Sequence, residues 1–388
     1  MKEVQLARGK GRRVESGHPW VYDNEIEHVN GGEPEAGELV KVFNFKNQFI
    51  GIGYFNAAST IRVRIVSRVD EPVDANFFYN KLAAAKAMRE GVGYKENYRL
   101  VFSEADLLPG LVIDKFGKVL VLQSLTAGIE KHLPEITQAL LKLFTPTSIV
   151  ARNDVPVRTL EGLEEYKKHL HGNQKQHVID EHGVKFKLDL IEGQKTGFFL
   201  DQKENRLALK DIVKDAEVLD AFTYNGSFAL FAAHFGAALV EGYDVSEQAL
   251  MQSTRNAQLN GFEQCTFKVA NAFDLLPDLL KQGRKYDVVI LDPPAFTKSR
   301  KNMESAVRGY KEINLRGMKL VKPGGFLLTF SCSHFMPAEM LRETIQSAAV
   351  DAGKTLRQIQ FLQQAKDHPV HLAVPETEYL KGFLLQVD

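Results

Sequence analysis

Two carboxylates in the second half of the chain have the spacing of a nucleoside-binding site. Asp220 ends one apolar run, and Asp244 ends the next, 24 residues later. Rossmann-like folds place an acid at about this distance, where it accepts hydrogen bonds from ribose hydroxyls. The intervening loop contains Gly226 but lacks the G-x-G-x-x-G pattern that holds a pyrophosphate. An acid for ribose without a pyrophosphate loop favours S-adenosylmethionine, a nucleoside without phosphates, as the cofactor.

Further polar residues follow the next apolar runs. If these runs are parallel strands of one sheet, the loops at their carboxyl ends share one edge, which is where such folds bind ligands. The alternative is that Asp220 and Asp244 only cap helices and that Gly226 serves packing. Polar or glycine residues follow four successive predicted strands, and this recurrence favours a binding site. The residues predicted to bind the cofactor are Asp220, Phe222, Asn225, Gly226, Asp244, Val245, Asn271, Ala272 and Asp292.

The two cysteines of the chain have different surroundings. Cys332, between Ser331 and Ser333, follows the fifth predicted strand, where the neighbouring strand ends in Asp292-Pro-Pro. A thiolate there is a candidate nucleophile, and Asp292 is a candidate acid beside it. The alternative for Cys332 is a buried small hydrophobic residue, the commonest fate of a free cysteine. Cys265 begins a strand away from these loops, and we expect it to be structural.

Apolar runs alternate with amphipathic stretches throughout residues 186–388. This pattern predicts βαβ units and a mostly parallel, doubly wound sheet of α/β class. The last two strands are too close together for a crossover helix, so we expect them to pair antiparallel at one edge. The run 228–240 predicts a buried helix. The predicted strands lie near 217–222, 239–243, 265–269, 286–291, 325–330, 356–362 and 382–387.

Two smaller domains are predicted before this one. Short alternating runs separated by turn residues predict a small β-barrel over 1–70. Residues 71–185 mix both element types, and Asp74 is a candidate N-cap for a helix over 74–90. In this linking α/β domain we also expect a hairpin around 115–117, a helix near 129–144 and a strand near 148–152. The polar stretch 167–176 predicts a loop.

The composition of the chain excludes several classes of function. The chain has 388 residues, 49 basic and 49 acidic, so no overall charge indicates nucleic acid, although local basic patches remain possible. Two cysteines exclude a disulfide framework and favour a reducing, cytoplasmic location. The first residues have no apolar signal segment, and no run is long enough to cross a membrane. We expect neither a membrane nor a metal among its partners.

Two short segments concentrate positive charge. Lys298, Arg300, Lys301, Arg308 and Lys311 lie in one stretch with a single acid, Glu304. This excess beside the Asp292 loop suits a phosphate backbone, and the alternative is a solvated helix face. A second patch in the N-terminal domain includes Arg12 and Arg13. Next to it, His18, Trp20 and Tyr22 could stack on bases, but Trp20 is more readily explained as a core anchor.

Several motifs resemble one methyltransferase family. The Asp292-Pro-Pro-Ala-Phe stretch, the Gly226 loop and Asp244 resemble class I methyltransferases. The motifs that narrow the resemblance to the RlmI-type 23S rRNA 5-methylcytosine methyltransferases are His18-Pro-Trp-Val-Tyr22, Gln194-Lys-Thr-Gly-Phe-Phe-Leu-Asp-Gln202, Arg308-Gly-Tyr-Lys-Glu-Ile-Asn314, Phe330-Ser-Cys-Ser333, Asp367-His-Pro-Val370 and Tyr379-Leu-Lys-Gly-Phe383.

This resemblance implies a fold and an activity. It implies an RNA-binding PUA domain at the N-terminus, a Rossmann-like domain that uses S-adenosylmethionine, and 23S rRNA as substrate. It makes Cys332 the nucleophile that adds to cytosine, because carbon 5 alone is too weak a nucleophile to take the methyl group. It adds Gln202 to the cofactor residues. It also adds Tyr310 to the predicted RNA contacts Arg12, Arg13, Lys298, Arg300, Lys301 and Arg308.

Some alternatives stay open at this stage. An acid or amide before Pro-Pro also occurs in enzymes that methylate amino nitrogens, so a base nitrogen of rRNA is a second acceptor. Many 5-methylcytosine enzymes carry a second cysteine in this loop, where this chain has Pro294 and Ala295. The base that removes the carbon-5 proton is not identified. An RNA-binding protein without catalysis is a third alternative, and a homodimer is left open.

Overall fold

A computed structural model of the chain describes residues 1–193, 197–297, 299 and 302–388. They form two compact units. The first comprises Met1–Ile179, Leu188–Leu200 and Lys366–Thr377, and the second comprises Asp180–Lys187, Asp201–Ala365 and Glu378–Asp388. The first unit contains two hydrophobic cores, one within the N-terminal sheet and one mainly within residues 73–151. The division into three domains at 70 and 185 stays a prediction.

The N-terminal strands form one six-stranded sheet in the order β2-β6-β5-β4-β1-β3. Only the β1–β4 pair is parallel among its described ladders. Val21 of one edge strand and Ile26 of the other contact the same core, so the sheet curls around it as a barrel does. The elements are β1 (Lys2–Leu6), α1 (Arg12–Glu15), β2 (Trp20–Tyr22), β3 (Ile26–Asn30), β4 (Leu39–Phe43), β5 (Phe49–Phe55) and β6 (Ile61–Ser67).

The next part of the first unit is a five-stranded sheet, β11-β10-β9-β8-β7, with helices packed against it. The Asp74 carboxylate accepts hydrogen bonds from the Asn76 and Phe77 N–H groups, so the predicted N-cap is confirmed. The elements are α2 (Ala75–Gly91), β7 (Asn97–Phe102), β8 (Leu111–Phe116), β9 (Val119–Ser124), α3 (Ala127–Lys131), α4 (Leu133–Phe144), β10 (Ser148–Asn153) and β11 (Tyr166–His171). The strand pair β12 (Gln176–Glu181) and β13 (Val184–Asp189) comes next in the chain, and its residues Asp180–Lys187 belong to the second unit.

Two details of this part differ from the sequence-based expectation. The helix expected near 129–144 is interrupted at His132, because Pro134 has no N–H for the carbonyl four residues earlier and instead opens a new helix. The polar stretch expected to be a loop contains β11, which pairs antiparallel with β10 at the edge of the sheet. An edge strand is largely exposed, so it needs no apolar alternation.

The second unit contains the predicted doubly wound sheet, in the order β16-β15-β14-β17-β18-β20-β19. All seven predicted strands are confirmed, four parallel ladders among them, and the last two strands pair antiparallel at the edge. The elements are α5 (Lys203–Leu207), β14 (Glu217–Asp220), α6 (Ser227–His234), β15 (Leu239–Asp244), α7 (Glu247–Asn260), β16 (Cys265–Val269), α8 (Ala272–Lys281), β17 (Tyr286–Leu291), α9 (Met303–Leu320), β18 (Val321–Ser331), α10 (Ala338–Ala352), β19 (Leu356–Gln363) and β20 (Lys381–Val387).

The strand order reverses at β14, with β15 on one side and β17 on the other. Loops at such a reversal diverge and leave a crevice at the carboxyl ends of the strands. The run 228–240, predicted as one helix, divides at Gly236, whose φ of 94° ends α6 before β15 begins. Among the described residues, no helix has both the length and the apolar character to cross a bilayer.

Candidate active site

The loop after β14 places several polar atoms in a buried position. Gly226 begins α6 with a φ of 82°, and a Cβ there would lie 3.1 Å from the Ser253 Cβ, so glycine is needed at this close approach. In the described part of the chain, the Asp220 carboxylate and the Thr223 hydroxyl are buried beside each other, and Asn225 Oδ1 is buried without a hydrogen-bond partner. Buried polar atoms normally have partners, so this loop has the character of a ligand site.

Asp244, at the end of β15, faces this loop. One of its carboxylate oxygens accepts a hydrogen bond from the Tyr224 N–H and the other from the Ser246 N–H, both at 2.9 Å. Each oxygen can accept a further hydrogen bond. Val245 next to it is exposed, and Phe222 is partly buried. The carboxylate therefore braces the loop and keeps accepting capacity for a ligand.

The loop after β16 holds the next two predicted residues. Asn271 is exposed, and its side-chain oxygen caps α8 by accepting a hydrogen bond from the Phe273 N–H at 3.1 Å. Ala272 is buried in the core below. The side-chain oxygen of Asn271 thus has a structural role as an N-cap, and its amide NH₂ group remains available as a donor.

Asp292, directly after β17, has an altered acidity. Although the residue retains some contact with solvent, burial raises the pKa of Asp292 to about 7, and the Asp201 and Asp220 carboxylates add to the rise. The Gln202 amide opposes it by donating a hydrogen bond to Asp292 Oδ1 at 3.0 Å. Gln202 is held in turn by Asn205, whose amide donates to Gln202 Oε1 at 2.6 Å. Asp292 can therefore carry a proton near neutral pH.

Cys332 lies where the sequence predicts it, one residue past β18 and beside the Asp292 loop. Its Sγ is 3.9 Å from the carbonyl oxygen of Pro293. The two flanking serines are buried and bonded. Ser331 donates to the Tyr310 hydroxyl at 2.8 Å, and Ser333 donates to the Thr297 carbonyl at 3.1 Å. The chain on both sides of the thiol is thereby held in place.

Cys265 begins β16, as predicted, at a different part of the sheet. Its burial raises the pKa of the Cys265 thiol to about 12. A thiol with so high a pKa is a poor nucleophile at neutral pH. This agrees with a structural role for Cys265.

Lys381 is a site residue that the sequence-based reasoning did not single out. It begins β20, is almost fully buried, and donates a hydrogen bond from Nζ to the Ser333 carbonyl at 2.7 Å. Burial lowers the pKa of Lys381 to about 8, while the charges of Cys332 and Glu378 oppose that fall. The signal available in the sequence was the motif Tyr379-Leu-Lys-Gly-Phe383, which carries the family resemblance.

The predicted RNA-contact residues have mixed surroundings. Arg12 and Arg308 are exposed. Arg13 forms an ion pair with Glu25 at 3.0 Å and also donates to the Trp20 carbonyl, so much of its hydrogen-bonding capacity is used within the barrel. Tyr310 has a different place from the one predicted, because its side chain is fully buried under Ser331. The predicted contacts Lys298, Arg300 and Lys301 lie outside the described residues.

The aromatic residues of the barrel are also engaged internally. The Trp20 indole N–H donates to Glu104 Oε1 at 2.9 Å. The His18 ring packs edge-on against the Trp20 ring, with the two ring centroids 5.1 Å apart. These contacts support the structural explanation of Trp20 over base stacking. In the described part of the chain, no group of three potential metal ligands comes together.

Comparison with known proteins gives this arrangement a family. Residues 4–68 match the model of a PUA-like domain, and residues 166–379 match the model of an S-adenosylmethionine-dependent methyltransferase. A Vibrio cholerae protein named ribosomal RNA large subunit methyltransferase I is 40% identical over 393 residues, covering 99% of each chain. A Shewanella denitrificans protein of the same name is 39% identical over 392 residues, also covering 99% of each chain.

The chain belongs to the family of ribosomal RNA large subunit methyltransferase I. The family resemblance found in the sequence is thus confirmed, as are the PUA-like domain, the methyltransferase fold and the dependence on S-adenosylmethionine. The loop after β14 fits a nucleoside cofactor, because its buried side chains offer hydrogen-bond acceptors and its sequence lacks the G-x-G-x-x-G pattern of a pyrophosphate loop.

Solved structures share this family's fold. The crystal structure of SMU.776 complexed with SAH covers 100% of both chains with a TM-score of 0.85 and 19% identity. The structure of Trm5b from Pyrococcus abyssi has a TM-score of 0.53 and 16% identity, and covers 71% of this chain and 74% of its own. At these identities the likeness concerns the fold alone.

Proposed function

We propose that this methyltransferase modifies carbon 5 of a cytosine in the large-subunit (23S) rRNA through a covalent adduct of Cys332. The name of its relatives supplies the class of RNA. The single observation that carries the choice of carbon 5 is the position of a thiol beside an acid, with Cys332 Sγ 3.9 Å from the carbonyl that follows Asp292. A nitrogen acceptor already has a lone pair and needs no such thiol.

The proposed chemistry depends on two side chains. The Cys332 thiolate adds to carbon 6 of the cytosine, which gives carbon 5 the electron density of an enamine. Asp292 in its protonated form donates a hydrogen bond to the ring nitrogen and stabilises the charge that develops there. Its pKa of about 7 provides a substantial neutral fraction near pH 7. When bound, S-adenosylmethionine would supply the methyl group and leave as S-adenosylhomocysteine. Loss of the carbon-5 proton to a base and cleavage of the bond between carbon 6 and the Cys332 sulfur would then restore the ring and release the thiolate.

The loops after β14, β15 and β16 are the proposed holders of the cofactor. Asp244 retains accepting capacity for ribose hydroxyls, and the buried oxygens of Asp220 and Asn225 are acceptors for other polar groups. Asn271 is exposed, and its side-chain amide is the proposed donor to the edge of the adenine base. Gly226 allows a close approach of the backbone.

Asp244→Ala is expected to weaken S-adenosylmethionine binding about ten- to hundred-fold. Losing a charged hydrogen-bond partner costs roughly 1.5–3 kcal/mol. Isothermal titration calorimetry measures the change. The matched control is Glu247→Ala, which removes an exposed acid from the first turn of α7 and should leave the affinity nearly unchanged. Binding by Asp244→Ala as tight as by the wild type would remove this residue from the site.

Two exposed arginines are the proposed contacts to the RNA backbone among the described residues. Arg12 lies in the PUA-like domain, a type of domain that the sequence resemblance links to RNA, and Arg308 lies on α9, which follows the Asp292 loop. Each phosphate that an arginine neutralises releases a counterion, so binding depends on salt.

Arg12→Gln and Arg308→Gln are each expected to reduce the salt dependence of RNA binding. The slope of log affinity against log salt concentration should become shallower by about 0.7–0.9 per lost phosphate contact. Filter binding or fluorescence anisotropy at several salt concentrations measures this slope. The control is Lys281→Gln. Lys281 lies in the last turn of α8, at the opposite end of the helix from the predicted site residue Asn271, so its replacement should leave the slope unchanged. If the slope of Arg12→Gln equals that of the wild type, Arg12 does not contact an RNA phosphate.

The direct test is to locate the methyl group. Mass spectrometry of 23S rRNA from a strain lacking this gene should show one cytosine without its methyl group, and the wild-type gene should restore it. Fragmentation of that nucleoside distinguishes carbon 5 from a nitrogen position. A missing methyl on a base nitrogen would overturn the proposed acceptor. An rRNA substrate also favours a cytoplasmic location, where ribosomes and their precursors are found.

The second candidate function is methylation of a base nitrogen, which Asp292 before Pro-Pro would also suit. The partly protonated state of Asp292 and the nearby thiol favour the carbon acceptor. An inactive RNA-binding protein is the third alternative. It would have no reason to keep an acid and a thiol together at the carboxyl ends of the strands.

A further inference from the structure

The pairing of β18 with β20 brings a lysine to the segment that holds Cys332. The two strands are antiparallel, and their register sets Ser331 opposite Lys381. Cys332 is the next residue after that pair. The Lys381 Nζ then reaches past it and donates to the Ser333 carbonyl at 2.7 Å. The amine is therefore hydrogen-bonded to the residue that immediately follows Cys332.

Lys381 occupies an unusual position for a cation. Its residue is 5% exposed, and its hydrogen bond among the described residues goes to a backbone carbonyl, that of Ser333, and not to a carboxylate. Lysine is rarely buried without such a partner. Burial lowers the pKa of Lys381 to about 8, and the first charge that opposes this fall is that of Cys332. A structural brace for the Ser333 carbonyl would not require an ionisable group here.

Charged or titratable groups near the thiol include Tyr310, Asp292 and Glu378, which lie on or beside three different elements. Tyr310 on α9 is buried below Ser331, and the charges of Cys332 and Asp292 both bear on it. Asp292 follows β17, and Glu378 precedes β20. Tyr310 is neutral at physiological pH, because burial raises its pKa to about 12. Of these described groups, Lys381 is the one that can be positive.

We propose that Lys381 activates Cys332, by taking up the proton of its thiol and then stabilising the thiolate as an ammonium ion. The S–H bond breaks and an N–H bond forms, so the pair goes from neutral thiol and amine to thiolate and ammonium with no change in net charge. Lys381 is a positioning residue, since it acts on cytosine only through the sulfur. The inference rests on Cys332 being the nucleophile of the proposed function.

The test measures the thiol itself, without RNA or methyl transfer. The full-length protein is alkylated with iodoacetamide over a range of pH, and the modification of Cys332 and Cys265 is followed by peptide mass spectrometry. Lys381→Met removes the charge at similar length, and Lys381→Arg keeps a cation. The control is Lys322→Met, because Lys322 lies at the opposite end of β18 and pairs with Asp287.

The expected result is a shift of the Cys332 alkylation profile. In Lys381→Met the midpoint should move up by about one pH unit, with about tenfold slower alkylation at pH 7, because only the thiolate reacts. Lys381→Arg and Lys322→Met should keep the midpoint close to that of the wild type, and Cys265 should stay slow throughout. An unchanged midpoint in Lys381→Met would overturn the inference and leave Lys381 as a structural brace.

Two further measurements keep the outcome clear. Thermal unfolding and S-adenosylmethionine binding show whether Lys381→Met is folded. If Lys381→Met is not folded, Lys381→Gln takes its place. The midpoint of Cys332 alkylation in Lys381→Gln is then compared with that in Lys381→Arg, and equal midpoints would overturn the inference. The failure of this inference is also separate from a failure of the proposed function. A Cys332→Ser protein that still methylates RNA overturns the nucleophile, whereas an unchanged alkylation profile overturns only the role of Lys381.

Discussion

Cys332→Ser is expected to lower the rate of methyl transfer by at least about a thousand-fold while cofactor and RNA binding persist. The substitution is nearly isosteric, but a hydroxyl is almost wholly un-ionised at neutral pH, whereas a thiol gives some thiolate. Single-turnover transfer of a radiolabelled methyl group to rRNA measures the rate. Calorimetry and anisotropy measure the two binding steps.

The covalent step gives a second measurement for the same residue. Wild-type protein should form a stable adduct with RNA that carries 5-fluorocytosine, because fluorine cannot leave as a proton does. The target cytosine must leave its stack to bring carbon 6 to the sulfur, so an unpaired or flipped base is expected. Cys265→Ser is the matched control and should keep both activity and adduct formation. Normal methylation by Cys332→Ser with no adduct in the wild type would favour a nitrogen acceptor.

Asp292→Asn is expected to reduce the rate about 10²- to 10⁴-fold, the usual contribution of an acid–base group. The pKa of about 7 means that the carboxyl is protonated below pH 7 and loses its proton as the pH rises. The wild-type rate should therefore fall on the alkaline side, where the acid is lost. The asparagine variant has no such group, so this alkaline fall should disappear. Single-turnover rates across the pH range measure both effects.

The same substitution separates the two possible acceptors. Enzymes that methylate an amino nitrogen use asparagine or aspartate before Pro-Pro, so Asp292→Asn with nearly full activity would contradict the carbon-5 mechanism. Asp287→Asn is the matched control, because Asp287 lies at the amino end of the same strand and pairs with Lys322. It should change stability slightly and leave the pH profile as in the wild type.

Much of the fold of the second unit could be predicted from the sequence, because its signals are local. Apolar runs of strand length recur between amphipathic helices, and each run is a strand in the structure. In the first unit, the hydrogen bonds that the Asp74 carboxylate accepts at the start of α2 likewise come from residues only two and three positions away. The 24 residues from Asp220 to Asp244 are one βα unit, so their placement at neighbouring strand ends followed from spacing.

The site could be predicted only where adjacent strands determine it. Asp292 and Cys332 lie together because β17 and β18 are neighbours, which the doubly wound topology implies. Lys381 was missed because the sequence predicts that the last two strands pair but not which of them lies inside. The structure inserts β20 between β18 and β19, and only that order sets Lys381 opposite Ser331.

What the sequence by itself determined was the fold class, the parallel strands of the catalytic sheet and the two side chains at their ends. What only the tertiary structure decided was burial and charge. Tyr310 is buried because of the face that α9 presents to the core, and Arg13 is occupied by Glu25 across the barrel. The pKa of Asp292 is raised first by burial and then by the charges of Asp201 and Asp220, which are distant in the chain. Local patterns report preferences over a few residues, whereas desolvation and charge interactions depend on which distant residues the packing brings together.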